Sequence, residues 1–324
     1  KRTVLSANWM AAAGHTGEDA RLFDTVKAVG MDICPQLGIT IPVGKDSLSM
    51  KTVWQDAEQQ KSVTSPLSLI ISAFAPVRDV RKSVTPELMP EKDSGLFVFD
   101  LGQGRNRMGA SILAQVHGQM GQQGPDLDDA ALLKNFYLAI QEMLENDYLL
   151  AYHDRSDGGL ITTLCEMAFA GRTGVTVDLH KLGDQPVEIL FNEELGAVIQ
   201  VRRNNYNNIK QVIDRFGLNT CCFEIGHTNE NFELNILLNK LKLMSEPLEK
   251  LRRSWSLTSY HLQKLRDNPE CAEQEYNSIL KNEKPSLFSA LSFETDENIS
   301  APYLNLGAKP RVAILREQGV NGQV

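Results

Sequence analysis

Six short apolar runs, at residues 96–101, 148–152, 175–179, 196–202, 221–225 and 232–238, are interleaved with helical periodicity at 128–146, through Met167, and at 206–216. Runs of five to seven residues are strand-length, and polar or glycine-bearing turns bound most of them. A chain with this rhythm is expected to lay the runs side by side as a sheet and cover it with helices. The fold class expected is therefore α/β, of the mixed α+β kind. The helix at 128–146 is expected to turn Leu133, Tyr137, Ile140 and Leu144 inward. With 324 residues and 42% apolar residues there is enough material for about two domains. No apolar run approaches the ~20 residues of a membrane span. The formal charge of −8 disfavours a phosphate backbone as partner. A cytoplasmic protein that binds neither membrane nor nucleic acid is expected.

Outside that block the pattern is less regular. Leu22, Val26, Val29 and Ile33 have helical spacing after an acidic start at Glu18-Asp19, and Pro35 is expected to end that helix. A strand from Ile39 to Val43 should then exit into the polar turn Gly44-Lys45-Asp46-Ser47. Leu67 to Phe74 reads as a buried strand, and Pro76 to Ser94 as a connection between domains. A glycine turn at 102–104 precedes a small-residue helix expected from Met108. Ser245, before Glu246 and Pro247, reads as the cap of a further helix, and Asp267 to Asn305 as a polar linker. Arg311 to Leu315 reads as a strand. Both ends look cut: the chain opens without Met and closes directly after that run. Cys34, Cys165, Cys221, Cys222 and Cys271 include no CxxC pair and read as reduced thiols, mostly buried.

The segment with most chemistry is His153-Asp154-Arg155-Ser156-Asp157-Gly158-Gly159, placed between a strand and a helix. Amides at a helix start, a hydroxyl, and glycines that admit a ligand can hold phosphate oxygens, and Asp154 can add a hard oxygen ligand for Mg²⁺. The same residues can equally be an ordinary helix cap. Gly44-Lys45-Asp46-Ser47 echoes the tail of a phosphate loop, but Ile39 stands where its first glycine belongs, so a polar turn serves as well. Gly102-Gln103-Gly104 fails the dinucleotide pattern, because Arg107 occupies the third glycine position. Asn192-Glu193-Glu194-Leu195-Gly196 reads either as a polar edge near the His153 segment or as an acidic turn before a strand. The six histidines have no metal-ligand spacing, and His153 is more simply a packing residue.

Eight collinear strings carry a resemblance, among them LSANWMAAAGHTGEDARLFDTVKAVG (5–30), PVGKDSLSMKT (42–52), AYHDRSDGGL (151–160), LFNEELGAVIQV (190–201) and PRVAILREQGVNG (310–322). Together they resemble, in order, the large single-chain phosphoribosylformylglycinamidine synthases of purine biosynthesis. The resemblance implies an ATP-consuming, glutamine-dependent carbon–nitrogen ligase that converts formylglycinamide ribonucleotide to formylglycinamidine ribonucleotide. It implies aminoimidazole-ribonucleotide-synthetase-like domains, this chain forming the later part of the second half of a fused tandem. The domains implied are the end of a synthetase-like N-terminal domain at 1–78, a synthetase-like C-terminal domain at 94–240, a helical and extended linker at 241–306, and the start of a class I glutaminase at 307–324.

By the same resemblance Asp154 matches a Mg²⁺ ligand and Ser156 a nucleotide contact, with Asp157 and Gly158 beside it. Gly44 matches a nucleotide contact and Ser47 a substrate contact in related smaller enzymes, although Lys45-Asp46 departs from their Asn-Val. No catalytic residue is implied within the chain, and none of its cysteines matches the glutaminase nucleophile. The cofactors implied are Mg²⁺ and ATP or ADP. The partners implied are formylglycinamide ribonucleotide, glutamine through a missing domain, and the rest of the same polypeptide. Enzymes of this type also hold a second, apparently noncatalytic nucleotide. A Mg-ADP-binding structural half that scaffolds the active half is therefore an alternative, and a standalone small-molecule kinase of the thiamine-phosphate or selenophosphate type is a third.

Overall fold

A computed structural model describes residues 3–77, 79–279, 289–304, 307, 311–313 and 315. The chain divides into two compact units, one of residues 1–76 with 282–324 and one of residues 77–281.

In the first unit, strand β1 (Val4–Met10) lies between β2 (Thr40–Ser47), which it pairs in parallel, and β5 (Ser68–Phe74), which it pairs antiparallel. The crossover from β1 to β2 is helical: α1 (Glu18–Lys27), a wide turn at Ala28–Ile33, and α2 (Cys34–Leu37). Pro35 does not stop this helical path, as its spacing suggests. It sits in the first turn of α2, directly after the wide turn, and the path ends instead at Gly38 in the left-handed conformation. A hairpin of β3 (Lys51–Asp56) and β4 (Gln59–Thr64) fills the stretch before β5. β5 is a strand as expected but not a buried one: Ile70 and Phe74 are 55% and 58% exposed.

The second unit is built on a seven-stranded sheet ordered β12-β11-β8-β10-β6-β9-β7. Its strands are β6 (Ser94–Asp100), β7 (Leu149–Asp154), β8 (Gly174–Asp178), β9 (Gly196–Arg202), β10 (Cys222–Asn229), β11 (Glu233–Leu238) and β12 (Leu241–Pro247). Only β8 and β11 pair in parallel. The helices are α3 (Ile112–Val116), α4 (Ala130–Glu145), α5 (Gly159–Gly171), α6 (Pro186–Phe191), α7 (Tyr206–Arg215), α8 (Leu248–Arg266) and α9 (Pro269–Ser278). Alternation along the central strands feeds two cores. Leu96, Val98 and Val198 join Leu160, Leu164 and Met167 of α5 on one face, and Phe99, Ile199 and Val201 join Phe136, Met143 and Val212 of α4 and α7 on the other. Burial on both faces explains why these strands read as nearly continuous apolar runs.

Several expected elements are displaced. α4 buries Leu132, Phe136, Ala139, Ile140 and Met143; of the expected stripe Ile140 is buried, Leu133 and Leu144 pack half-buried at the edge of the core, and Tyr137 is 39% exposed. The helix expected from Met108 is only the short α3, begun by the Ser111 side chain. Ser245 caps nothing: β12 runs through it, pairing Asn235 with Ser245 and Glu233 with Pro247, and its hydroxyl donates to Asn235 Oδ1 at 2.7 Å. The polar stretch after Asp267 contains α9, which folds back on α8 by stacking Tyr276 on Tyr260 at 4.4 Å. Of the strand expected at 311–315, residues 311–313 and 315 lie outside any strand, and 316–324 lie outside the described residues.

The segment before β6 is tied to this unit. Leu88 is buried in the α5-side core, and the side-chain amide of Gln200 exchanges two 2.8 Å hydrogen bonds with the N–H and C=O of Met89. Gln200 is itself buried and also donates to Ser94 Oγ.

Candidate functional site

The His153–Gly159 loop begins inside the sheet. Tyr152, His153 and Asp154 are the last residues of β7, paired with Ile199, Val198 and Ala197 of β9. Asp154 ends the strand with its side chain exposed, and Tyr152 donates its hydroxyl to Asp154 Oδ1 at 2.5 Å. Burial, and then the adjacent Asp154 charge, push the Tyr152 phenol well above its ordinary range, so it stays a donor at every working pH. His153 Nε2 lies 2.9 Å from Glu166 Oε2 on α5, and the other oxygen of Glu166 accepts from Trp255 Nε1 of α8 at 3.2 Å. His153 thus packs, as its residue type suggested.

Arg155 turns the opposite way, into the protein. Its guanidinium, 2% exposed, bonds Asp100 Oδ1 at 2.6 Å and the carbonyls of Glu194 and Leu195 at 2.6 and 3.1 Å, while its N–H donates to Gly196 O. A buried charge needs such saturation to be tolerated. The result fastens the loop to the end of β6 and the start of β9. No local pattern announces this, since the partners are 55 and 39–40 residues away.

Ser156 and Asp157 are exposed, and the loop closes when Gly159 N–H donates to Ser156 O at 2.9 Å. Gly158 and Gly159 have φ of +82° and +74°. At Gly159 a Cβ would stand 2.6 Å from the carbonyl oxygen of Leu190, so only glycine fits. α5 starts from Gly158 with no side chain of its own as cap, so neither Asp154, Ser156 nor Asp157 serves the ordinary capping role that these residue types could have filled. The Gly158 N–H is instead taken by Glu193 Oε1 at 2.8 Å, and the same oxygen accepts the Ile112 N–H of α3 at 2.8 Å. The acidic turn at 192–196 therefore forms one wall of the loop. Its neighbour Glu194 is fully buried and holds Arg107 by two bonds of 2.6 and 2.7 Å, and Arg107 also reaches Asp128 at 2.7 Å. These bonds, to Glu194 first, raise the Arg107 guanidinium further above its ordinary value. Gly102 leaves the room Glu194 occupies, since a Cβ there would meet Glu194 Cγ at 2.7 Å.

Asp154, Ser156, Asp157 and Gly158 are thus presented by one loop. Gly44 and Ser47 belong to the first unit, where the structure corrects the expected polar turn: Gly44-Lys45-Asp46-Ser47 is the second half of β2, in register with Ala7 to Met10 of β1. Gly44 approaches β1 closely, a Cβ there standing 3.1 Å from Ala7 O. Lys45 and Ser47 share a strand face, and Lys45 Nζ donates to Ser47 Oγ at 2.9 Å. For a divalent cation the second unit offers the exposed carboxylate of Asp154. No group of three or more His, Cys, Asp or Glu able to hold a metal occurs among the described residues. That fits a cation carried mainly by phosphates and water with one protein carboxylate, as Mg²⁺ permits, and does not fit an all-protein cage. Among the described residues no helix is long and apolar enough to cross a membrane.

Two family models match the chain: the FGAR-AT PurM_N-like domain over residues 1–76, and the AIR synthase related protein, C-terminal domain, over residues 100–239. Among solved structures, PurL of T. maritima complexed with ATP is similar over 76% of this chain and 37% of its own, at 15% identity and TM-score 0.52. PurL of T. maritima complexed with FGAR is similar over 78% and 39%, at 14% identity and TM-score 0.52. The E. coli hydrogenase maturation protein HypE is similar over 75% and 74%, at 19% identity and TM-score 0.50. The chain thus spans well under half the length of the PurL chains. At such identities the likeness is one of fold, a mixed α/β architecture with AIR-synthase-like domains.

Proposed function

We propose, from the two PurM-like domain matches, that this chain is part of an ATP-dependent ligase. In this reading it converts formylglycinamide ribonucleotide and glutamine-derived ammonia to formylglycinamidine ribonucleotide in purine biosynthesis. Its second unit binds a magnesium nucleotide at the 154–159 loop. The observation that carries the reading is the loop itself: an exposed carboxylate at a strand end, then Ser156, then two left-handed glycines at the start of a helix that none of Asp154, Ser156 and Asp157 caps. Asp154 would hold the cation, which neutralises phosphate charge when bound. Ser156, Asp157 and Gly158 would contact the phosphates, and buried Arg155 would hold the loop in place. In the first unit Gly44 would contact nucleotide and Ser47 substrate. The FGAR-AT description of the model matching residues 1–76 supports the substrate, and the ATP complex of a protein of similar fold supports the nucleotide. Residues 1–78, 94–240, 241–306 and 307–324 would be, in turn, the end of a synthetase-like N-terminal domain, its C-terminal partner, a linker and a glutaminase start.

A second reading is a site that holds Mg-ADP to scaffold an active half elsewhere. The absence of any cluster of three possible metal ligands among the described residues favours it over turnover at this loop. Calorimetric titration of Mg-ADP and Mg-ATP into this chain and its Asp154→Ala variant tests both. Binding lost in the variant supports the loop as the site, and binding unchanged in the variant moves the site elsewhere. Hydrolysis of bound Mg-ATP by the wild-type chain would count against the holding role.

A further inference from the structure

We infer that Glu193 is a specificity-determining residue of this loop, an internal anion that makes the site accept a polyphosphate only as its magnesium complex. The inference rests on the nucleotide reading above. One oxygen of Glu193 receives two backbone N–H groups, from Gly158 at the start of α5 and from Ile112 at the start of α3, each at 2.8 Å. Backbone donors of this kind attract phosphate when a loop is empty of charge. Here a carboxylate of the chain already uses both, and it brings a full negative charge to the place where phosphate would add more.

The neighbouring cations do not offset that charge. Arg155 is committed to Asp100, and Arg107 to Glu194 and Asp128, while Arg105 also pairs with Asp128. A metal-free polyphosphate approaching this loop therefore meets three carboxylates, Glu193, Asp154 and the exposed Asp157, while Arg155, Arg107 and Arg105 are already paired. Magnesium reverses the balance, because it lowers the charge of the phosphate chain and gives Asp154 something to bind. Asp154 then supplies the attraction, and Glu193 supplies the rejection of the uncomplexed ligand.

Glu193→Gln separates the two effects, since the amide keeps an oxygen for both N–H groups and loses the charge. The test is calorimetric titration of ADP into the full chain and into Glu193→Gln, once with excess Mg²⁺ and once with EDTA, with a thermal melt of each. The wild type should bind Mg-ADP and lose it in EDTA. The variant should bind metal-free ADP about tenfold tighter than the wild type does, the effect of one nearby charge in a partly solvated site. Its affinity for Mg-ADP should change less. If Glu193→Gln melts early, Glu193→Ala removes the same charge and is compared in the same way. Equal or weaker metal-free binding by the variant overturns the inference while leaving wild-type Mg-ADP binding, and with it the nucleotide reading, intact. No ADP binding by any chain under either condition overturns both.

Discussion

The two sheets of this molecule meet the same requirement differently. In the seven-stranded sheet the central strands β6 and β9 are buried along almost their whole length, with helices on both faces. In the three-stranded sheet β5 is equally apolar in sequence, with Leu69, Ile70, Ile71 and Phe74, yet five of its seven residues are exposed. The adjoining hairpin is exposed at every position. Hydrophobicity alone therefore does not report burial. It reports burial only where the chain also supplies an element to lie on that face.

The comparison breaks most sharply at buried charge. Arg155→Ala should destabilise the chain by about 3–5 kcal/mol, because it strands Asp100 in the interior. Thermal unfolding of that variant reads the cost, and a loss under about 1 kcal/mol would mean that water already reaches the pair.

Next comes packing. Ile199→Ala on β9 should cost about 2–5 kcal/mol, whereas Ile70→Ala on β5 should stay within about 0.5 kcal/mol. Equal denaturant midpoints for the two would erase the distinction between the sheets.

The glycines sharpen it further. Gly159→Ala combines a left-handed cost of about 1–2 kcal/mol with overpacking against the Leu190 carbonyl, for about 3 kcal/mol in all. Gly38→Ala in the first unit, with open space around it, should cost only the first part. The two melting curves should separate accordingly.

The thiols give a pH test. Burial pushes Cys165 up to about 12 and Cys221 up to about 11. Their neutral forms belong to the folded state, so their contribution is complete below the ordinary thiol value of ~8.5 and is lost as pH rises toward those raised values. The urea midpoint should fall between pH 8.5 and 11, and a Cys165→Ala, Cys221→Ala double variant should flatten that fall. The smallest effect should be Lys61→Ala on the exposed hairpin, where the pair with Asp56 is worth under about 1 kcal/mol.

How far the sequence spoke follows the same line. The strands that became β6, β8, β9 and β11 were legible because burial on both faces makes them apolar without interruption. β1 was not, since alternating Ser6 and Asn8 hide its pairing, and β12 was not, since Ser245-Glu246-Pro247 is also a good helix start. Gly44 to Ser47 looked like a turn because polar residues on a half-covered strand carry the same letters as a loop. At the candidate site, the loop and its glycines could be read from local spacing. The inward turn of Arg155 could not, because its partners are set by tertiary neighbours that no local pattern encodes, and Glu193 could be read only as one of two alternatives for the 192–196 stretch.

The clasp between Gln200 and the Met89 backbone bears on how the molecule can be dissected. Its paired bonds are those a neighbouring strand would make, and Leu88 beside it fills the core, its carbonyl lying against Gly171. A recombinant piece begun at residue 94, the boundary that sequence composition suggests, would forfeit that plug and leave the Gln200 amide without its Met89 bonds. A piece begun at residue 77 keeps them. The stretch of chain that looks most dispensable on paper is, for anyone excising the second unit, the one to retain.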